Sequence, residues 1–115
     1  MSKTISLSET GVGVDITGTS YCGLIKATYD QLVALFGEPE PPYDDGKVNS
    51  SWAIEFFVED FEHETQDYVT ATIYDWKEKE TPMGNHEWHV GGYGPDALYT
   101  LEDYLLEQKH ANSTN

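Results

Sequence analysis

The sequence contains no arginine and only six lysines, whereas aspartate and glutamate together number 21. The formal net charge is therefore −15 at pH 7. Because clusters of lysine and arginine hold the phosphates of nucleic acids, this composition excludes nucleic acid as a direct electrostatic partner. The charge favours a basic protein instead, and we expect the partner surface to be one that itself binds nucleic acid.

Cysteine and long apolar runs are also scarce. The single cysteine, Cys22, excludes an intramolecular disulfide and is typical of a reducing compartment. No apolar stretch approaches the roughly 20 residues of a membrane-spanning helix, so we expect no membrane partner. These features predict a cytoplasmic protein, and the strong self-repulsion of its charge favours a monomer or at most a homodimer.

Aromatic residues, by contrast, are plentiful, with three Trp, eight Tyr and four Phe. Disordered acidic chains lack aromatic residues, so this chain should fold despite its charge. Its length predicts one domain over residues 1–115. Within that domain we expect residues 1–17 to be either loosely ordered or an edge strand, and residues 110–115 to be a frayed tail.

Two helices are predicted. Thr28 and Gln31 have the spacing of a capping box, in which each side chain bonds a free backbone N–H, so a short helix should occupy residues 29–36. Pro95 suits the first turn of a second helix, which should extend to about residue 109. Both helices carry an apolar stripe and must pack against a sheet.

The remaining periodic segments alternate with a period of two and predict strands. They cover residues 19–27, 48–59, 68–76 and 87–90, and residues 12–16 allow one more strand at an edge. The resulting order is β-α-β-β-β-α. It predicts an α+β domain in which an antiparallel sheet of three to five strands carries two helices on one face.

Four segments of the chain carry a resemblance to a known group of proteins. They are Gly23–Tyr29, Leu35–Gly37, Ala71–Glu78 (ATIYDWKE) and Trp88–Gly92 (WHVGG). Together they resemble a group of small uncharacterised proteins encoded by tailed bacteriophages, over roughly residues 18–106. The resemblance implies a phage origin and the cytoplasm of an infected bacterium; it implies no catalytic residue and no activity.

Two acidic segments are the first candidates for a site. They comprise Glu38, Glu40, Asp44 and Asp45, and then Glu59, Asp60, Glu62 and Glu64. Both lack apolar periodicity, so their carboxylates should be exposed. Such carboxylates imitate part of the charge array of a duplex, which carries one charge per roughly 1.7 Å, and we expect them to bind the basic partner. A solvated surface that serves only solubility is the alternative.

Four aromatic residues are the second candidate: Tyr74, Trp76, Trp88 and Tyr93. On adjacent strands they would form an aromatic binding face. Such a face could stack a nucleobase or anchor a protein interface. An aromatic ladder between strands, with no role in binding, is the alternative.

Neither catalysis nor metal binding is predicted. His86 and His89 are three residues apart in a predicted strand, where such positions point to opposite faces. A lone cysteine such as Cys22 is more often a small buried hydrophobe than a nucleophile.

We therefore expect a non-enzymatic binding protein with no cofactor. Its acidic surface would inhibit a host defence or nucleic-acid-processing protein by mimicking nucleic acid. The alternatives are a protein that sequesters a nucleotide or another small molecule in an aromatic pocket, and a structural or assembly protein of the virion.

Overall fold

The computed structural model describes residues 3–11, 13–39, 51–75 and 86–113. These residues form five strands and two helices: β1 (Lys3–Thr10), β2 (Ser20–Ala27), α1 (Tyr29–Phe36), β3 (Ser51–Asp60), β4 (Thr65–Tyr74), β5 (His86–Gly92) and α2 (Asp96–Ser113). All pairings are antiparallel, and the strand order in the single sheet is β1-β3-β4-β5-β2. The α+β class and the order β-α-β-β-β-α are confirmed, with β1 as an additional strand.

The edge strand β1 lies upstream of the alternation at residues 12–16. Ile5 and Leu7 pair with Val58 and Phe56 of β3 and pack against the core. Val14 is buried outside any strand, in the connection from β1 to β2. Because β1 and β2 lie at opposite edges of the sheet, this connection must cross the sheet, and its described apolar residues Val14 and Ile16 do not form a strand.

Helix α1 begins and ends where the sequence predicts. The backbone N–H of Gln31 donates to Thr28 Oγ1 over 3.1 Å, and the N–H of Thr28 donates to Gln31 Oε1 over 2.8 Å, so both halves of the capping box form. Gly37 follows at a φ of 86°, a left-handed value that glycine adopts without strain and that ends the helix. The capping prediction is therefore confirmed.

Three elements extend two or more residues beyond their predicted bounds. Strand β4 begins at Thr65, so the polar residues 65–67 belong to the β3–β4 hairpin rather than to a connector. Strand β5 continues through Gly91 and Gly92, which pair with both β2 and β4. Helix α2 extends to Ser113 because residues 97–113 contain no glycine or proline to end it.

Both helices cover the same face of the sheet, as predicted. The rings of Phe36 in α1 and Tyr104 in α2 stack with centroids 5.9 Å apart, and Phe56 of β3 lies 5.0 Å from Tyr104. The largest fully buried apolar side chains of this layer are Leu32, Ile54, Phe56, Ile73, Trp88, Val90 and Leu101. Among the described residues, no helix is both long enough and apolar enough to cross a membrane.

Candidate functional site

The side of the sheet away from the helices, here called the open face, carries the candidate site. Side chains alternate along a strand, and residues paired directly across antiparallel strands share a face. Because Trp52, Ile54 and Phe56 point into the core, the residues between them and their partners belong to the open face. No helix of the described chain packs on this side.

The connection from β1 to β2 divides the open face into two parts. Ala53 and Thr72 are paired on this face, yet each is only 7% exposed. The N–H of Gly11 donates to the carbonyl of Ala53 over 3.0 Å. The hydroxyl of Tyr93 donates to the carbonyl of Asp15 over 2.9 Å. From these two contacts and the burial of Val14, Ala53 and Thr72, we infer that the connection passes over the row of Ala53 and Thr72 and leaves a patch of side chains on either side of it.

The first part, the tyrosine–histidine patch, consists of Tyr21, Leu24, Tyr74 and His89. His89 pairs with Tyr74 of β4 on one side and with Leu24 of β2 on the other. The rings of Tyr74 and His89 stack at 5.5 Å, and Tyr21 lies 5.3 Å from His89. Tyr21 is 56% exposed, so one ring of this stack is accessible to a ligand.

Burial raises the pKa of the Tyr74 phenol above its usual 10.0, and the neighbouring Tyr21 and Cys22 raise it further. Because the pKa of Tyr74 is higher in the folded than in the unfolded state, its contribution to stability is fully present below about pH 10. That contribution is lost as the pH rises through the pKa of the folded state.

A spectroscopic titration tests this placement of Tyr74. The absorbance of the native protein at about 295 nm, minus that of Tyr74→Phe, reports the ionisation of Tyr74, and we expect its midpoint to lie at a higher pH than that of N-acetyltyrosinamide. A midpoint at or below that of the free compound would contradict the placement of Tyr74 in this patch.

The predicted aromatic face does not form as one surface. Trp88 is 0% exposed, its Nε1 donates to the carbonyl of Ala27 over 3.0 Å, and its ring packs edge to face with Trp52. The prediction of Trp88 as a binding residue is therefore wrong, because it lies on the opposite side of the sheet from Tyr74. Tyr93 is exposed beyond the end of β5, and Trp76 lies outside the described residues.

Sequence reasoning missed Tyr21 and His89 as neighbours of Tyr74. The three residues come from three different strands, and their contact depends on strand order and register. Alternation within each strand assigns a face but not a neighbour. No signal in the sequence pairs β2 with β5.

The second part, the hairpin patch, lies on the open face of the β3–β4 hairpin. It consists of Glu55, Phe57 and Glu59 of β3 and their direct partners Thr70, Tyr68 and Gln66 of β4. The rings of Phe57 and Tyr68 lie 5.2 Å apart at an interplanar angle of 47°. Tyr68 is 65% exposed. The patch therefore presents an aromatic pair between two carboxylates.

Both carboxylates of the hairpin patch are oriented by neutral donors. The hydroxyl of Ser8 donates to Glu55 Oε1 over 3.1 Å, and the side-chain amide of Gln66 donates to Glu59 Oε2 over 3.3 Å. A neutral donor positions a carboxylate without cancelling its charge. Each carboxylate keeps a second oxygen for a further donor.

The four residues of the second acidic segment do not share one role in the structure. Asp60 stabilises the hairpin turn, since its Oδ1 accepts from the backbone N–H groups of Glu62 and His63 over 3.1 and 3.2 Å. Its Oδ2 lies 2.8 Å from His63 Nδ1, and its side chain is only 13% exposed. Glu62 and Glu64 are exposed in the turn, and Glu59 lies in the hairpin patch. Asp60 is thus a turn residue and is poorly placed for a partner.

Glu38, the one residue of the first acidic segment that the structure describes, lies far from the second segment. Glu38 follows Gly37, whose carbonyl accepts from Trp52 Nε1 over 2.8 Å near the start of β3. Asp60 lies at the other end of β3, about 26 Å away at the rise of a strand. Glu40, Asp44 and Asp45 fall outside the described residues. As far as the structure describes them, the two segments do not converge.

Cys22 is held within the fold, because its Sγ lies 3.3 Å from the carbonyl oxygen of Gly94 and 3.4 Å from that of Ser20. Within the described ranges, no three side chains of His, Cys, Asp and Glu converge in a way that would hold a metal ion. The groups brought together on the open face are suited to stacking, hydrogen bonding and charge attraction.

Comparisons of the chain with protein-family models, with curated proteins and with solved structures give no match. The resemblance to small proteins of tailed phages therefore stays a prediction.

Proposed function

We propose that this chain is a non-enzymatic binding protein whose acidic surface docks on a basic, nucleic-acid-binding surface of another protein. The observation that carries the proposal is the net charge of −15 with no arginine, on a domain with a well-packed core. The described carboxylates concentrate at the hairpin, where β3, the turn and β4 contribute Glu55, Glu59, Glu62, Glu64 and Asp67. Spaced carboxylates of this kind replace the phosphates that a basic surface normally holds.

The resemblance to phage proteins supplies the finer part of the proposal. From the phage origin that it implies, we propose a host defence or nucleic-acid-processing protein as the partner. Binding would be inhibitory because the acidic surface would occupy the nucleic-acid site. Charge complementarity of this type accelerates association, and the acceleration decreases at higher salt because ions screen the attraction between the two surfaces.

The salt dependence of capture tests the proposal. Tagged protein incubated with bacterial lysate should retain basic, nucleic-acid-binding proteins at about 0.05 M salt and release most of them at about 0.5 M, where the screening length is short. The variant Glu59→Gln/Glu62→Gln/Glu64→Gln should retain less of the same proteins. Asp60 stays unchanged in this variant because it holds the turn.

The matched control is Glu102→Gln/Asp103→Asn/Glu107→Gln, which removes the same number of charges from exposed positions of α2. Both triple variants should keep their melting temperature, since exposed substitutions change stability by about 0.5 kcal/mol or less and the half-buried Glu59 is replaced by a side chain of the same size that can still accept from Gln66. Retention of only neutral or acidic proteins by the unmodified chain, or equal capture at both salt concentrations, would contradict the proposal.

A second candidate function follows from the tyrosine–histidine patch. The stacked rings of Tyr74 and His89, with the exposed and tilted ring of Tyr21 beside them, offer aromatic surface of the kind on which nucleobases stack. Lys26 is exposed and lies two residues beyond Leu24, on the same face, where it could meet a phosphate. A rise in melting temperature with nucleotides that disappears in Tyr21→Ala would favour this function over the acidic one.

A further inference from the structure

We propose that the hairpin patch binds arginine side chains of the basic partner, with the guanidinium stacked on Tyr68 and bonded to Glu55 or Glu59. The inference rests on the proposed function, since it names the contact surface and the residue type recognised there. It goes further in requiring recognition of the guanidinium group itself, which net charge alone does not provide.

The spacing of the patch matches two properties of a guanidinium group: a planar face that stacks on an aromatic ring, and N–H groups at its edge that bond a carboxylate. Same-face neighbours along a strand are about 6.7 Å apart, so Phe57 and its partner Tyr68 lie midway between the two carboxylates. A planar guanidinium that stacks on an aromatic ring can present its edge N–H groups to an adjacent carboxylate. One arginine therefore uses a ring and one glutamate, and a second arginine can use the glutamate on the other side.

The aromatic pair is accessible and fixed in place. Tyr68 is 65% exposed, while Phe57 is half-buried beside it on the neighbouring strand, with the ring centroids 5.2 Å apart. This contact restricts the tyrosine ring, so less side-chain freedom is lost when a partner binds. The hydrogen bonds from Ser8 and Gln66 restrict the two carboxylates in the same way.

Composition decides between a foreign partner and a second copy of this chain. The chain contains no arginine, so a second copy cannot supply a guanidinium. A second copy would also bring another −15 of charge toward the same carboxylates. Charge complementarity thus selects a basic segment of a different protein as the occupant of the patch.

Two synthetic peptides of equal charge, one with arginine and one with lysine at every second position, test the inference. Isothermal titration at about 0.05 M salt should show tighter binding of the arginine peptide, by about two- to fivefold for each stacked guanidinium. Tyr68→Ala should remove this preference, whereas Tyr68→Phe, which keeps the ring, should retain it. Circular dichroism of each variant establishes that the fold is intact.

Charge variants separate this inference from the proposed function. Glu55→Gln/Glu59→Gln should weaken binding of the arginine peptide by about five- to tenfold, as expected for the loss of two charge pairs at the surface. The matched control Glu102→Gln/Glu107→Gln on α2 should change it by less than about twofold, because both residues lie on the helical layer.

Equal affinity of the two peptides for the unmodified chain would overturn the inference and leave the charge-based function standing. The same holds if Tyr68→Ala keeps the preference for arginine. If neither peptide binds at low salt, both the inference and the proposed function fail.

Discussion

Replacement of Trp88 by alanine is expected to lower the free energy of unfolding by about 3–5 kcal/mol, the usual range for a fully buried tryptophan. The side chain is 0% exposed and packs edge to face against Trp52 with centroids 5.4 Å apart. The carbonyl of Ala27 also loses the hydrogen bond that it accepts from the indole N–H. Chemical denaturation followed by far-ultraviolet circular dichroism measures the effect.

Two further variants locate the source of this loss. Trp88→Phe should fall between the native protein and Trp88→Ala, because it keeps most of the buried ring but leaves the carbonyl of Ala27 unsatisfied, at about 1–3 kcal/mol. Tyr68→Ala removes a largely exposed ring together with its contact to Phe57, so it should lower stability by only about 0.5–1.5 kcal/mol. If Trp88→Ala were as stable as Tyr68→Ala, the placement of Trp88 in the core would be contradicted.

Gly92→Ala is expected to have the second large effect, a loss of about 1–3 kcal/mol or more through overpacking. A Cβ at this position would lie 2.2 Å from the Cβ of Ala97 and 3.1 Å from the carbonyl oxygen of Thr70. Neither neighbour is the flexible end of a long side chain, so the first turn of α2 would have to move away from the sheet. Thermal unfolding should report the loss as a lower melting temperature.

A matched control and a compensating substitution make this prediction specific. Gly94→Ala should be close to neutral, since a Cβ there meets no atom within 4 Å. Ala97→Gly removes the clashing methyl group. The stability loss of the double variant Gly92→Ala/Ala97→Gly should therefore be smaller, by about 1 kcal/mol, than the sum of the losses of the two single variants. Strict additivity would show that the approach of β5 to α2 does not explain the requirement for glycine.

Local signals in the sequence predicted the elements whose formation depends on neighbours along the chain. The capping box of Thr28 and Gln31 places the start of α1, and alternation identifies β3 as a strand with one buried face. These predictions hold because a cap is completed within four residues and because the two faces of a strand are assigned by a period of two. The charge of −15 is likewise a property of composition alone.

Signals fail where burial depends on contacts between distant segments. Ile5 and Leu7 alternate with serine and threonine as weakly as residues 12–16 do, and only pairing with β3 separates a strand from a crossing connection. Gly91 and Gly92 are typical of a strand end, yet both pair with neighbouring strands and continue β5. Glycine is required at these positions because neighbouring segments approach too closely for a side chain. The polar start of β4 carries no apolar pattern because the end of the hairpin is exposed.

The same distinction between local signals and contacts of distant segments applies to the candidate site. By itself the sequence determined that this protein is an acidic α+β domain with aromatic and carboxylate side chains on its strands. Only the tertiary structure decided that Trp88 belongs to the core, that Asp60 holds a turn, and that Tyr68 pairs with Phe57 beside Glu55 and Glu59. The physical reason is that strand order and register set which side chains meet across a sheet. Both are selected by the packing of the whole core rather than by any single segment.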